Sequence, residues 1–209
     1  MTCICPTRAH RKKYLPTAIA CFQAQTYQQR ELLILQDGNG EDLGKYVPND
    51  SEIRWMRYPS ERYIGQKRNA CCEAARGDII AHWDDDDWSH PERLAEQIVI
   101  LKGNLVTGYR TIHFLDDRSG QAHEYHGTPQ YAVGTSLCYW KSYWREHQFR
   151  EFQCGEDNDF VMRARGVLSP QDGLGRMVAL THDGGTSPRS MNEKQWRPVD
   201  ISVLPWRPR

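Results

Sequence analysis

An α/β fold with a mixed, mostly parallel sheet flanked by helices is what this sequence predicts, and three observations predict it. Apolar runs of strand length alternate with stretches of helical periodicity through the first hundred residues. These runs end in polar or acidic turns, at Pro6-Thr7, at Asp37-Gly38-Asn39-Gly40 and at Asp84 to Asp87. In such sheets ligands bind beyond the carboxyl ends of the strands, so three polar features from distant sequence converge on one edge.

Thr2 to Pro6 reads as a short buried strand, followed by a basic loop from Arg8 to Lys13. Leu15 to Gln25 repeats its apolar residues at helical spacing. Glu31 to Gln36 (ELLILQ) is a second strand closed by the Asp37 turn, and Ile53 to Tyr58 a third. Gln66 to Ala75 reads as a helix stopped by Gly77-Asp78, and Asp78 to Trp83 as the strand that delivers the aspartates. Pro91 suits the first turn of a helix carrying Leu94, Ile98 and Leu101. Beyond Lys102 the pattern weakens. Val106 to Phe114, Ser136 to Trp140 and Met177 to Leu180 read as strands. A helix follows Glu156-Asp157 and includes Phe160 to Arg165. The tail from Gln195 to Arg209 has three prolines and two tryptophans and reads as an extended arm.

The 209 residues suit a single domain. Lys plus Arg and Asp plus Glu number 27 each, so no net field steers the chain to nucleic acid or anionic membrane. No apolar run approaches the roughly 18 residues of a membrane helix, and no secretory signal is read at the N-terminus. The seven cysteines are odd in number and form no CxxC pair, which points to reduced core thiols in a cytoplasmic setting.

Four consecutive aspartates repel one another, and a divalent cation with a preference for hard oxygen donors would offset that cost. A solvated acidic turn is the plain alternative, but Trp83 and Trp88 bracket the run. Glu156 and Asp157 open a helix after Gly155, where they could cap it or, beside a metal, take a proton from a hydroxyl. His182 follows an apolar strand and could join carboxylates around a Mn²⁺-like ion. Arg68 could grip a phosphate or pair with Glu73 or Asp78 on the surface. The sequence lacks a GxxxxGK[ST] loop, a GxGxxG turn after the first strand and a GxSxG elbow.

The chain resembles family 2 glycosyltransferases of the GT-A fold. The resemblance lies in Cys5-Pro6-Thr7 with Leu15 to Tyr27, Glu31 to Gly38, Gly65 to Asn69 (GQKRN), Gly77 to Arg93 (GDIIAHWDDDDWSHPER) and Gly155 to Phe160 (GEDNDF). The segment from His182 to Ser187 matches a late feature of some members. The resemblance implies a nucleotide-sugar half over about 1–101, an acceptor and catalytic half over about 102–190, and a C-terminal arm over about 191–209. It implies that Pro6, Thr7, Arg8, Asp37, Arg68, Asp84 and Asp85 hold a nucleotide-sugar donor, a UDP-sugar. Asp86, His182 and Asp84 would hold Mn²⁺ or Mg²⁺. Asp157, with Glu156 beside it, would be the general base in a single inverting displacement. The acceptor would be a glycan, a lipid-linked molecule or another hydroxyl, and the setting cytoplasmic, extending to the inner membrane face. Gln36 stands where the family often has the first of two aspartates, and Arg8 where many members have an aromatic. A nucleotide-sugar hydrolase, a nucleotidyltransferase and a non-catalytic sugar-nucleotide binder are the competing readings.

Overall fold

The computed structural model describes residues 1–183 and 194–207. Its first half is a parallel sheet in the order β3 (Ile53–Tyr58), β2 (Glu31–Asp37), β1 (Thr2–Arg8), β4 (Ile79–His82). All three ladders of this half are parallel. Strands buried on both faces read as unbroken apolar runs, which is why ELLILQ shows no alternation. Successive side chains still part to opposite faces. Cys3, Cys5, Leu32 and Ile34 pack with α1 (Leu15–Gln23) and α3 (Arg93–Leu101). Ile4, Leu33 and Leu35 pack with Cys71 and Cys72 of α2 (Ile64–Ala74) on the other side. Helix α2 starts two residues earlier than its apolar spacing indicates, because the Gln66 side chain reaches back to the Tyr63 N–H in a capping box. Helix α3 starts two residues after Pro91.

Antiparallel pairing enters with the second half. The long β6 (Val106–Asp116) pairs antiparallel with β7 (Ala122–His126) and with β8 (Cys138–Trp140). It pairs parallel with β9 (Leu168–Asp172) and β10 (Met177–Thr181). Strand β8 also pairs antiparallel with β4 and so joins the two halves. The two-residue β5 (Trp88–Ser89) pairs with β10, which draws the chain after the aspartates toward His182. Two short helices, α4 (Lys141–Glu146) and α5 (Glu156–Arg163), complete this half. The C-terminal arm supplies β11 (Trp196–Val199), antiparallel to β7, and buries Leu204 beside Leu115 and Val178. Six of the seven cysteines are buried, and no disulfide occurs among the described residues. Among the same residues no helix is long and apolar enough to cross a membrane.

Candidate active site

The four aspartates divide by direction. Asp85 and Asp87 turn inward and are 1% and 7% exposed, while Asp84 and Asp86 turn outward with side chains 25% and 12% exposed. Each inward carboxylate is satisfied by hydroxyl or N–H donors, as burial demands. Asp85 accepts from the Thr7 hydroxyl at 2.5 Å and from Arg11 Nε at 2.9 Å. Asp87 accepts from the Thr135 hydroxyl and from the Leu180 N–H, the latter at 3.1 Å. Asp87 therefore ties the loop to β10 and does not cap α3, whose N-cap has no side-chain hydrogen bond. Burial drives the Asp85 carboxyl above the ordinary range in spite of Arg11 and Thr7. Burial also opposes charge on Asp84, but the Arg68 guanidinium outweighs it and holds that carboxyl low.

The outward pair meets basic side chains. Asp86 Oδ2 lies 2.8 Å from His182 Nε2 and 2.7 Å from Arg11 Nη2. Asp84 Oδ1 lies 3.3 Å from Arg68 Nη1. A divalent cation fits Asp86 and His182 on chemical grounds, because an oxygen and an imidazole nitrogen converge there and a guanidinium already stands against both as a cation. Asp84 is instead turned to Arg68, and among the described residues no three His, Cys, Asp or Glu side chains gather as a metal set. Mg²⁺ is commonly held by one or two carboxylates, with phosphate oxygens and water completing its sphere. The residues Gly184 to Ser187 after His182 lie outside the described residues.

The carboxyl ends of β1 and β2 build a second cluster. Their register sets Arg8 opposite Asp37. Asp37 accepts from Arg8 Nε at 3.1 Å, from Lys67 Nζ at 3.1 Å and from the Arg62 N–H at 2.7 Å. Burial opposes ionisation of Asp37, but these donors outweigh it and keep the carboxyl below its ordinary range. For Lys67 the balance is reversed, since burial outweighs Asp37 and pushes the ammonium below the usual lysine range. A cleft beside Arg8 is lined by Glu61, Arg62, Tyr63, Gln66 and Gln153. Pro6 is buried one residue before Thr7. Gln36, in place of an aspartate, closes the following turn by bonding the Glu41 carbonyl at 2.8 Å and the Leu43 N–H at 3.0 Å.

This arrangement makes stability depend on acid pH. A carboxyl held low in the folded state adds stability above its unfolded pKa, and that stability disappears as pH falls through the folded value. Asp37→Asn is expected to be less stable than the parent at pH 7, with the difference narrowing below about pH 4. Urea unfolding at both pH values measures it, and a difference that widens in acid contradicts the assignment.

The third cluster opens α5. Gly155 is the N-cap with φ 82°, a left-handed conformation that glycine adopts at little cost, and no side chain caps the helix. Glu156 and Asp157 are thus released from capping. Glu156, 4% exposed, accepts from Arg68 Nε at 3.0 Å. Burial raises its carboxyl pKa, with Arg68 opposing and Asp157 adding to the rise. Asp157 is half-buried and lies against Gly134, where any Cβ would collide with its carboxylate. The Gly134 carbonyl is itself fixed 2.6 Å from His82 Nδ1.

The residues expected from the sequence thus form one strip: Arg8 and Asp37 at one end, the aspartates and His182 in the middle, Glu156 and Asp157 at the other end. Arg68 sits behind the strip, bonded to Asp84 and Glu156 and not to Glu73 or Asp78. Sequence reasoning missed Arg11, Lys67 and Thr135. Lys67 lay within the GQKRN block and Arg11 within the basic loop, but each partners a carboxylate 30 or 74 residues away.

The strip can be set beside known proteins. TarS 1–349 from S. aureus in complex with UDP-GlcNAc superposes with a TM-score of 0.70 at 17% identity, over 88% of this chain and 59% of that one. The same protein in complex with UDP gives 0.68 over 86% of this chain and 60% of that one. These likenesses establish the GT-A fold. An uncharacterised glycosyltransferase of Haemophilus influenzae is 27% identical over 113 residues, 52% of this chain and 45% of that protein. The chain spans less than half the length of that curated relative. The model of the family described as "Glycosyl transferase family 2" matches residues 2–161, which include every cluster except His182, and on that match the chain belongs to glycosyl transferase family 2.

Proposed function

We propose that this chain is a metal-dependent inverting glycosyltransferase that moves a sugar from a nucleoside diphosphate donor, a UDP-sugar, to an acceptor hydroxyl on a glycan, a lipid-linked molecule or a similar compound. One observation carries the proposal: Arg68 joins Asp84 to Glu156, at 3.3 and 3.0 Å, and so holds the aspartate turn beside the helix that bears Asp157. A donor group at the aspartates and an acceptor at Asp157 would then be neighbours. The complexes of TarS with UDP and UDP-GlcNAc support the choice of donor.

Thr7, Arg8 and Asp37 take the base and ribose end of the donor and Asp84 the ribose, while Asp85, turned inward onto Thr7 and Arg11, positions these groups and does not touch the donor. Asp86 and His182 hold Mn²⁺ or Mg²⁺, which when bound neutralises charge on the departing diphosphate. Asp157 accepts the proton of the attacking hydroxyl. Gly134 and the start of α5 fix that carboxylate before the acceptor arrives, so little reorganisation is left to the reaction. The cytoplasm, extending to the inner membrane face, is the setting proposed for this chemistry.

The test is a thermal-shift screen of nucleotide sugars with Mn²⁺. A donor at 100 times its dissociation constant adds about 2.7 kcal/mol of stability. A screen in which no nucleotide sugar raises the melting temperature opposes the proposal. Release of free sugar without any acceptor would favour the hydrolase.

A further inference from the structure

We propose that Arg11 is a displaceable cation that competes with the divalent ion for Asp86, so that metal enters the site as this guanidinium gives up Asp86 and keeps its hold on Asp85. The inference rests on the reading of Asp86 and His182 as the ion-holding pair. Arg11 Nη2 is 2.7 Å from Asp86 Oδ2, and Nη1 is 3.3 Å from His182 Nε2. The same Asp86 oxygen is the one that approaches His182 at 2.8 Å. The guanidinium therefore faces the very atoms that a metal ion would use. A divalent ion and an arginine about 4 Å apart in a partly desolvated cleft repel each other strongly.

Arg11 has somewhere to go. Its Nε lies 2.9 Å from each oxygen of Asp85, and its Nη2 lies 2.5 Å from Asp85 Oδ1. Asp85 is 1% exposed and is further fixed by the Thr7 hydroxyl. Nη2 is shared between Asp85 and Asp86, so metal entry breaks the contacts of Nη2 with Asp86 and of Nη1 with His182 while the Nε contacts with Asp85 can persist. Tyr14 lies along both partners, with its ring 5.5 Å from the Arg11 guanidinium carbon and 4.7 Å from the His182 ring. Packing of that kind limits how far either side chain can swing.

The consequence is weak metal binding in the parent protein. Hydrogen bonds between charged groups contribute about 1.5–3 kcal/mol, which corresponds to about ten- to hundredfold in an equilibrium constant. Free Mn²⁺, followed by its electron paramagnetic resonance signal, is titrated into the parent, Arg11→Gln and Arg11→Lys, each checked for fold by circular dichroism. The proposal expects Arg11→Gln to bind Mn²⁺ alone at least about tenfold more tightly than the parent, with Arg11→Lys between them. Equal or weaker binding by a folded Arg11→Gln overturns it and leaves the metal reading standing. If neither parent nor variant binds Mn²⁺ alone, the titration is repeated with UDP present, and absence of Mn²⁺ binding there overturns the proposal and that reading together.

A measurement on the parent alone covers the case in which Arg11→Gln does not fold. The Nε–H resonance of Arg11, assigned from the spectrum of Arg11→Lys, should move as Mg²⁺ is added, together with the His182 ring signals. A His182 response with the Arg11 resonance unchanged overturns the proposal as well.

Discussion

Asp157→Asn is expected to lower sugar transfer by about 10²- to 10⁴-fold, the range that general base catalysis supplies, while leaving the donor KM near that of the parent. Asparagine keeps the size and the oxygen that now accepts the Asn158 N–H at 2.7 Å. The substitution removes the capacity to take a proton, together with the negative charge. Gly134 lies against the carboxylate and fixes its position, so the variant should retain its geometry. Steady-state kinetics with varied donor and saturating acceptor separate the two effects. Full activity in this variant removes Asp157 from the base role. A rise in donor KM with unchanged turnover would move it to donor binding.

Arg68→Met is expected to cost about 3–5 kcal/mol of folding stability, the usual result of removing one partner from a buried ion pair. The arginine is 4% exposed, and burial works against its charge, but Asp84 and Glu156 outweigh that and hold it fully protonated. Without it, Glu156 stays buried with no cation beside it. Burial already lifts the Glu156 carboxyl above its ordinary range. A raised folded pKa means that the protonated form is favoured in the fold, and the deficit should shrink as pH falls toward that value. Denaturant unfolding at pH 7.5 and 5.5 tests both the size and the trend. Adding Glu156→Gln to Arg68→Met should recover part of the loss. A loss below about 1 kcal/mol, the size typical of an exposed pair, would show that the Asp84–Arg68–Glu156 chain is not structural.

The first half of the fold was legible because its strands are buried on both faces and its helices keep a clear apolar period. Strands β1 to β4 and helices α1 to α3 all lie within a few residues of where those patterns set them. The second half was not, for reasons visible in its residues. Strand β7 reads AHEYH, with four of five positions half-buried, and so lacks an apolar signature. Strand β9 reads LSPQD, with a proline inside it, and takes its place by pairing with β6. Strand β11 contains Pro198 and exists because β7 lies beside it. Such strands are specified by partners far along the chain and not by their own composition.

The site was read in the same uneven way. The aspartate run, Asp37, Glu156-Asp157 and His182 stand out as residue types at strand and helix ends, and the fold gathers them on one edge. The partition of the four aspartates into two inward and two outward was invisible, because it depends on Thr7 and Thr135 from other segments. The surface pairing of Arg68 with Glu73 or Asp78 gives way to Asp84 and Glu156, and the latter partner was not legible because it lies 88 residues away. Arg11 was passed over within a basic loop for the same reason.

The central claim is that Asp86 and His182 bind a divalent ion together with a nucleotide-sugar donor. Calorimetric titration of UDP-GlcNAc into the parent protein, in Mn²⁺ and then in excess chelator, tests it most directly. The account predicts measurable binding in Mn²⁺, and its loss in chelator and in Asp86→Ala. Equal binding with and without the metal in the parent protein would contradict it.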